Sequence, residues 1–202
     1  MLTKKLVTAL VLWFVSSMVW AQLPVLRGIG GDFTLTSSRG DSVSLSDFSG
    51  KVVLIFFGYT NCADICPTTM AHVSRFMKRL PEDKREQVQV LFISFDTDFD
   101  TPEHMNNYLS FFDPSFIGLT GQPEAVAHVV EQYGAEFTKL AEEKVTTRYK
   151  KLSVEDTQIE RPGYLYSHTA KIYVIDPRGR TRGYFYNGTP LEQMKADVLS
   201  LL

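Results

Sequence analysis

The stretch KVVLIFFGYTNCADICPTTM, residues 51–70, decides the fold. Its first seven residues form a continuous β-branched and aromatic run of strand length, which is typical of a strand buried on both faces of a parallel sheet. The chain's two cysteines, Cys62 and Cys66, follow this run directly, and Pro67 fits the first turn of a helix. The stretch therefore predicts a strand that leads into a cysteine pair at the start of a helix.

Strands and helices alternate on either side of this stretch, and that order predicts an α/β fold with a parallel core and right-handed crossovers. Residues 134–163 are polar and charged, and we interpret them as a surface insertion before the last hairpin, with room for a hairpin of their own. The predicted elements are hairpins at 32–45 and 170–186, strands at 51–57, 88–95 and 116–119, and helices at 68–80, 102–112, 123–133 and 190–202.

The first residues of the chain predict export. Lys4 and Lys5 precede a run without charge, residues 6–20, and small or aliphatic residues lead to an expected cut after Ala21, which is the pattern of a signal peptide. The alternative is an uncleaved membrane anchor, although the run falls short of the roughly 20 apolar residues that a bilayer span needs. In both cases we expect residues 22–202 to form one domain in the periplasm or another space outside the cytoplasm.

The composition of this domain limits its partners. Without residues 1–21 the chain keeps 181 residues, enough for one compact core, and a formal net charge of −4. This charge implies no basic face, so we expect no nucleic-acid partner.

The cysteine pair has three interpretations: an inert disulfide, a redox pair, or two sulfur ligands for a metal. Paired cysteines in exported proteins are usually structural disulfides. Closing a loop this short removes little freedom from the unfolded chain, which argues against a structural role. A helix N-terminus at the carboxyl edge of a parallel sheet favours the thiolate, the form that both attacks disulfides and binds metal.

The spacing of the cysteines does not decide between a redox pair and a metal site. Thioredoxin-type motifs carry two residues between their cysteines, whereas this pair carries three, about one helical turn. A disulfide is feasible at that separation, and two such thiolates also suit Cu(I). His168 stands at the mouth of a strand expected to neighbour the first one, and is the candidate third ligand. His72, His104 and His128 lie in predicted helices, and we interpret them as surface or packed residues.

The motif GYTNCADICP at residues 58–67, with SHT at residues 167–169, resembles the SCO/SenC family of copper-binding proteins with a thioredoxin-like fold. Residues 94–102, SFDTDFDTP, and 172–177, IYVIDP, are similar to the same family. The resemblance covers about residues 31–202 and implies a central mixed sheet flanked by helices, with an N-terminal β-hairpin. Asn61 and Ala63 depart from the pattern, because the family commonly has histidine and proline there.

The resemblance implies a metallochaperone in which Cys62, Cys66 and His168 bind one copper ion, as Cu(I) or Cu(II). Asp96 and Asp100 match acidic positions near that site. Because a carboxylate is a poor ligand for Cu(I), we expect them to orient the ligands, with helix capping as the alternative for Asp100. The implied partner is the copper-site subunit of cytochrome c oxidase, whose binuclear copper centre the family helps to build, or another periplasmic copper or thiol protein.

Two other functions stay open at this point. A thiol-disulfide reductase would keep a partner's cysteines reduced, with Cys62 as the attacking thiolate, and a redox or copper sensor would report through its disulfide state. The resemblance weakens the enzyme interpretation. Thioredoxin-like oxidoreductases place a cis-proline just before the strand predicted at 171–175, where this chain has SHTA at residues 167–170. We expect a metallochaperone, with redox activity of Cys62 and Cys66 as the alternative.

Overall fold

The structure is a computed structural model that describes residues 23–140 and 166–202. The predicted signal segment and residues 141–163 of the predicted insertion lie outside these ranges. Among the described helices, none has the length and apolar character needed to cross a bilayer.

Within the described ranges, seven strands form one mixed sheet in the order β2-β1-β5-β4-β3-β8-β9. The central strands β3, β4 and β5 are parallel, whereas β8 pairs with β3 in the antiparallel direction. The predicted mixed α/β sheet with an N-terminal hairpin is therefore confirmed. The strands are β1 (Thr34–Ser37), β2 (Ser42–Ser44), β3 (Val52–Gly58), β4 (Val88–Ser94), β5 (Ile117–Thr120), β6 (Phe137–Lys139), β7 (Tyr166–His168), β8 (Lys171–Ile175) and β9 (Thr181–Tyr186).

Helices cover both faces of the sheet. The helices are α1 (Ile65–Arg79), α2 (Glu82–Arg85), α3 (Pro102–Ser110), α4 (Pro123–Gln132) and α5 (Leu191–Leu199), with a short 3-10 helix at Leu45–Phe48. α1, α3 and α5 pack on the face that carries Phe56 and Phe92, and α4 packs on the other face, where Tyr133 at its end contacts Phe57 and Tyr173.

Helix α1 begins at Ile65, three residues before the predicted start at residue 68, and has Pro67 in its first turn as predicted. Pro67 occupies the third position, where its missing N–H would have had no partner within the helix. The apolar side chains of α1 recur at helical spacing and are fully buried, among them Met70, Val73 and Phe76. The helix ends at Arg79, directly before Leu80 and Pro81, since a proline disfavours helical geometry in the residue before it.

Strands β6 and β7 form a separate two-stranded antiparallel ribbon that the sequence did not predict. β6 comes from the start of the predicted insertion, and β7 is the segment that carries His168. The sequence predicted a surface insertion with room for a hairpin of its own, but its first residues pair with β7, which lies beyond the insertion. They pair with the candidate third ligand, with Phe137 opposite His168.

A buried carboxylate fixes the turn between β8 and β9. Asp176 accepts hydrogen bonds from the backbone N–H groups of Arg178 and Arg180, both at 3.0 Å, and forms ion pairs with the guanidinium groups of Arg180 (2.7 Å) and Arg182 (3.1 Å). Arg182 also donates to the carbonyl of Leu23 (2.8 Å), so the cluster joins the hairpin to the first described residue.

Replacing Asp176 by asparagine tests this cluster. The charge that holds the largely buried Arg182 disappears while the size of the side chain is kept, so we expect the free energy of unfolding to fall by about 3 kcal/mol. Urea unfolding at neutral pH measures the change. The control is Glu192→Gln, which removes the exposed pair with Arg79 and should cost less than about 1 kcal/mol. An equal loss of unfolding free energy in the two variants would show that the Asp176 cluster does not stabilise the fold.

Candidate metal centre

The sulfur of Cys66 lies against the end of the central strand β3. A Cβ atom added to Gly58, the last residue of β3, would lie only 2.9 Å from Cys66 Sγ and 2.9 Å from the ring of Phe56. Cys66 lies in the first turn of α1 and is fully buried. The missing side chain at Gly58 therefore creates the space in which this sulfur sits.

Cys62 lies in the loop between β3 and α1 and is only partly buried. Its sulfur accepts a hydrogen bond from the backbone N–H of Cys66 at 3.5 Å. Both cysteines are free thiols. The earlier of the two sulfurs is therefore the more accessible one.

His168 reaches the thiols from the ribbon formed by β6 and β7. Aromatic packing holds this ribbon: the Phe137 ring stacks on Phe95 with centroids 4.6 Å apart, and the backbone N–H of Tyr166 donates to the hydroxyl of Tyr59 at 3.2 Å. The imidazole of His168 contacts the rings of Phe95 (5.3 Å) and Tyr59 (6.0 Å). The ligand position thus depends on side chains that follow β3 and β4 directly.

The histidine presents its Nε2 atom to the sulfurs. Nε2 lies 3.5 Å from Cys66 Sγ, while Nδ1 lies 3.1 Å from the carbonyl oxygen of Thr169. A carbonyl only accepts hydrogen bonds, so the proton belongs on Nδ1 and the lone pair of Nε2 is directed at the thiols. Metal-binding histidines commonly have their tautomer fixed in this way.

The three candidate ligands converge on one point. The donor atoms of Cys62, Cys66 and His168 all lie within 4.8 Å of one another, and theirs is the single cluster of this kind in residues 23–140 and 166–202. Two thiolates and an imidazole form a soft donor set that suits Cu(I) and also zinc.

Comparison with known proteins assigns the chain to a family. Residues 24–202 match the sequence profile of SCO1/SenC. An SCO2-like protein of Rickettsia felis is 33% identical over 168 residues, which cover 83% of this chain and 74% of the relative. The chain belongs to the SCO1/SenC family.

Solved structures of SCO1/SenC relatives match the fold. ScoI of Bradyrhizobium japonicum, solved with copper bound, superimposes with a TM-score of 0.71 at 36% identity, over 86% of this chain and 99% of that one. BsSco, a member of the Sco family of cytochrome c oxidase assembly proteins, matches with a TM-score of 0.62 over 88% of this chain and 95% of its own, but at 21% identity this likeness shows the fold alone. The predicted thioredoxin-like fold is confirmed.

The other three histidines lie apart from the candidate metal centre. His72 is buried and its Nε2 lies 2.9 Å from the carbonyl of Thr189, His104 packs against Phe99 in the first turn of α3, and His128 is exposed on α4. None of them belongs to the cluster of Cys62, Cys66 and His168.

Asp100 is buried and connects the loops that follow β3 and β4. Its carboxylate accepts hydrogen bonds from the backbone N–H of Thr60 (2.9 Å), from the Thr60 hydroxyl and from the Ser94 hydroxyl. Burial raises the pKa of Asp100 above its usual value, against the effect of these hydrogen bonds. The alternative role in helix capping is wrong, because Thr101 caps α3 by accepting the N–H of His104 at 3.2 Å.

Asp96 serves the other side of the site. Its backbone N–H donates to the Ser94 hydroxyl (3.1 Å), and its carboxylate lies near the phenol of Tyr166. Burial and the neighbouring carboxylates, Asp96 first, raise the pKa of Tyr166 to about 12, so Tyr166 keeps its proton at neutral pH. The two aspartates thus contact Thr60 and Tyr166, each two residues before a candidate ligand.

The two thiols differ in acidity. The hydrogen bond from Cys66 lowers the pKa of Cys62 to about 4, although burial opposes this effect. Burial, followed by the hydrogen bond and the charge of Cys62, raises the pKa of Cys66 well above its usual value. The expectation that the location favours a thiolate is confirmed for Cys62 and wrong for Cys66, because full burial outweighs the helix N-terminus there.

Alkylation of the reduced, metal-free protein tests this difference. Cys62 is a thiolate throughout pH 5.5–8, so its rate of reaction with iodoacetamide should stay nearly constant over about two and a half pH units, whereas an ordinary thiol would react about tenfold faster per unit. Mass spectrometry separates the products at the two cysteines, and buried Cys66 should remain unmodified. A rate at Cys62 that climbs with pH up to 8 would contradict the assignment.

Proposed function

We propose that this protein is a copper metallochaperone that binds one copper ion, as Cu(I) or Cu(II), through Cys62, Cys66 and His168. The observation that carries the proposal is the convergence of these three donor atoms within 4.8 Å in a member of the SCO1/SenC family. The donors alone would also fit zinc. The copper-bound structure of the related ScoI supports copper as the ion.

The unequal exposure of the two sulfurs supports transfer by ligand exchange. Cys62 lies where a partner's thiolate can reach the metal, whereas Cys66 is enclosed by Gly58, Phe56 and Phe92. In the proposed step the partner's sulfur forms a bond to copper as the bond from Cys62 breaks, and Cys66 and His168 follow. The copper keeps its oxidation state, and each released ligand is free to take up a proton.

Asp96 and Asp100 are proposed to position the ligands without touching the metal. Asp100 fixes Thr60, two residues before Cys62, and Asp96 fixes Tyr166, two residues before His168. Both carboxylates come from one loop, so a single segment sets the separation between the exposed thiolate and the imidazole. This arrangement supports preorganised binding, because the ligands are held near their binding positions before the metal binds.

The proposed acceptor is the copper-site subunit of cytochrome c oxidase, or another periplasmic copper or thiol protein. Membership of the SCO1/SenC family supports this choice, because the family resemblance implies a role in building the binuclear copper centre. The proposed location is the periplasm or another space outside the cytoplasm, supported by the basic and then apolar pattern of residues 1–21, which fits a signal peptide or a membrane tether.

Copper stoichiometry of the reduced full chain tests the proposal. Wild type should bind one copper per chain. His168→Ala should lose Cu(II) and bind Cu(I) more than about tenfold more weakly, since removing even an outer partner of a ligand typically costs 10–100-fold. His128→Ala is the matched control, because His128 is exposed on α4, and it should bind as wild type does. Copper binding by His168→Ala that equals wild type would overturn the proposed site.

A second candidate function is the reduction of disulfides in a partner. The observation that favours it is a thiolate with a pKa of about 4 at the accessible Cys62, beside the protonated thiol of Cys66. The Cys62 thiolate would attack one sulfur of the partner's disulfide. Cys66, on losing its proton, would then attack the sulfur of Cys62 in the mixed disulfide and displace the partner's thiolate, so that two electrons pass to the partner and a Cys62–Cys66 disulfide remains. This reaction needs no histidine ligand, so the His168→Ala variant separates the two functions.

A further inference from the structure

The outer edge of the sheet at β9 is the place where the described chain begins. Residues 23–26 run beside the first half of β9: the backbone N–H of Leu26 donates to the carbonyl of Thr181 (2.8 Å), and Arg182 Nε donates to the carbonyl of Leu23 (2.8 Å). Leu23 also lies beside Gly183. The described part of the chain therefore begins alongside this edge strand.

Exposed apolar side chains gather on the same edge. In the described part of the chain, four large hydrophobic side chains are exposed, and three of them, Val25 (41%), Tyr184 (39%) and Tyr186 (54%), lie on β9 or beside it. The rings of Tyr184 and Tyr186 contact each other with centroids 5.5 Å apart, and the ammonium group of Lys171 lies 4.5 Å from the centre of the Tyr184 ring. The fourth, Phe111, follows α3 and is far from this edge in the sheet order.

The edge is also basic, in a chain that is acidic as a whole. Residues 23–28 and 171–186 contain five basic side chains and one carboxylate, a net charge of +4, whereas the full chain carries −2. Arg27, Arg178 and Arg180 are exposed. We call this surface the β9 face and define it by Val25, Tyr184, Tyr186, Lys171, Arg27 and Arg178.

We propose that the β9 face rests on the anionic phospholipid headgroups of the membrane beside which the protein works. Tyrosine rings prefer the boundary between headgroups and acyl chains, and exposed basic side chains are attracted to anionic lipids. If the uncharged run at residues 6–20 is kept as the membrane anchor, the alternative given above, it would bring a bilayer to this edge, because the described chain begins there. A partner peptide added along β9 would explain the exposed tyrosines, but it gives no role to the basic side chains.

This orientation is independent of the copper chemistry. The metal ligands follow the carboxyl end of β3, and β9 lies two strands away at the sheet edge. Contact of the β9 face with lipid therefore does not involve the ligand residues themselves.

Radical footprinting in lipid nanodiscs tests the β9 face. The full chain is made by cell-free synthesis directly into discs of phosphatidylcholine, with or without phosphatidylglycerol, so that residues 1–22 are retained. Hydroxyl-radical oxidation of each side chain is then measured by mass spectrometry. Oxidation of Tyr184 and Tyr186 should fall by about threefold or more in the anionic discs, because basic side chains bind such surfaces additively. Oxidation of Phe111 should not change.

Charge variants make the experiment specific. The double variant Arg27→Gln and Arg178→Gln should lose the protection of both tyrosines in anionic discs. The double variant Arg75→Gln and Lys78→Gln removes the same charge from α1, on the opposite face of the sheet. It should keep the protection of both tyrosines. Tyrosines as reactive in anionic discs as in neutral ones would overturn the proposal. So would protection that survives the arginine changes, or that appears only when two chains share a disc.

Discussion

The stack of Phe137 on Phe95 is the contact on which the site depends, because it holds the third ligand against the first two. His168 does not belong to the seven-stranded sheet, and reaches the cysteines only as part of the ribbon of β6 and β7. Phe95 directly follows β4, and Tyr59, which also contacts the imidazole, directly follows β3. Burial of these aromatic rings therefore fixes the position of the metal ligands relative to the stable central sheet.

The two sulfurs lie in different environments and therefore have different roles. Cys66 is enclosed at the end of β3 and holds its proton, while Cys62 is accessible and ionised. A metal bound to both would pull the second proton off, so binding releases a proton and depends on pH. The same asymmetry serves transfer and reduction, since in each reaction the accessible sulfur meets the partner and the buried one stays behind. One pair of thiols can thus support both candidate functions in sequence.

The local features of the fold could be predicted from the sequence, and the contacts between distant segments could not. The uninterrupted apolar run before the cysteines identified β3, and the helical spacing of Met70, Val73 and Phe76 identified α1. The ribbon was missed because its strands have three residues each, too few for a periodic pattern, and come from separate segments. The acidity of Cys66 was misjudged for a similar reason, since its burial depends on Phe56 and Phe92 from two strands.

The acidic loop after β4 shows the same limit. The resemblance to a copper-binding family indicated Asp96 and Asp100, but the sequence gives no sign that one binds the loop of Cys62 and the other the strand of His168. Their targets lie 40 and 70 residues away along the chain. X-ray absorption at the copper edge of the loaded protein identifies the atoms that bind the metal. If Cys62, Cys66 and His168 hold the ion, each copper is surrounded by two sulfur atoms and one imidazole nitrogen, and a copper shell of sulfur alone would contradict this site.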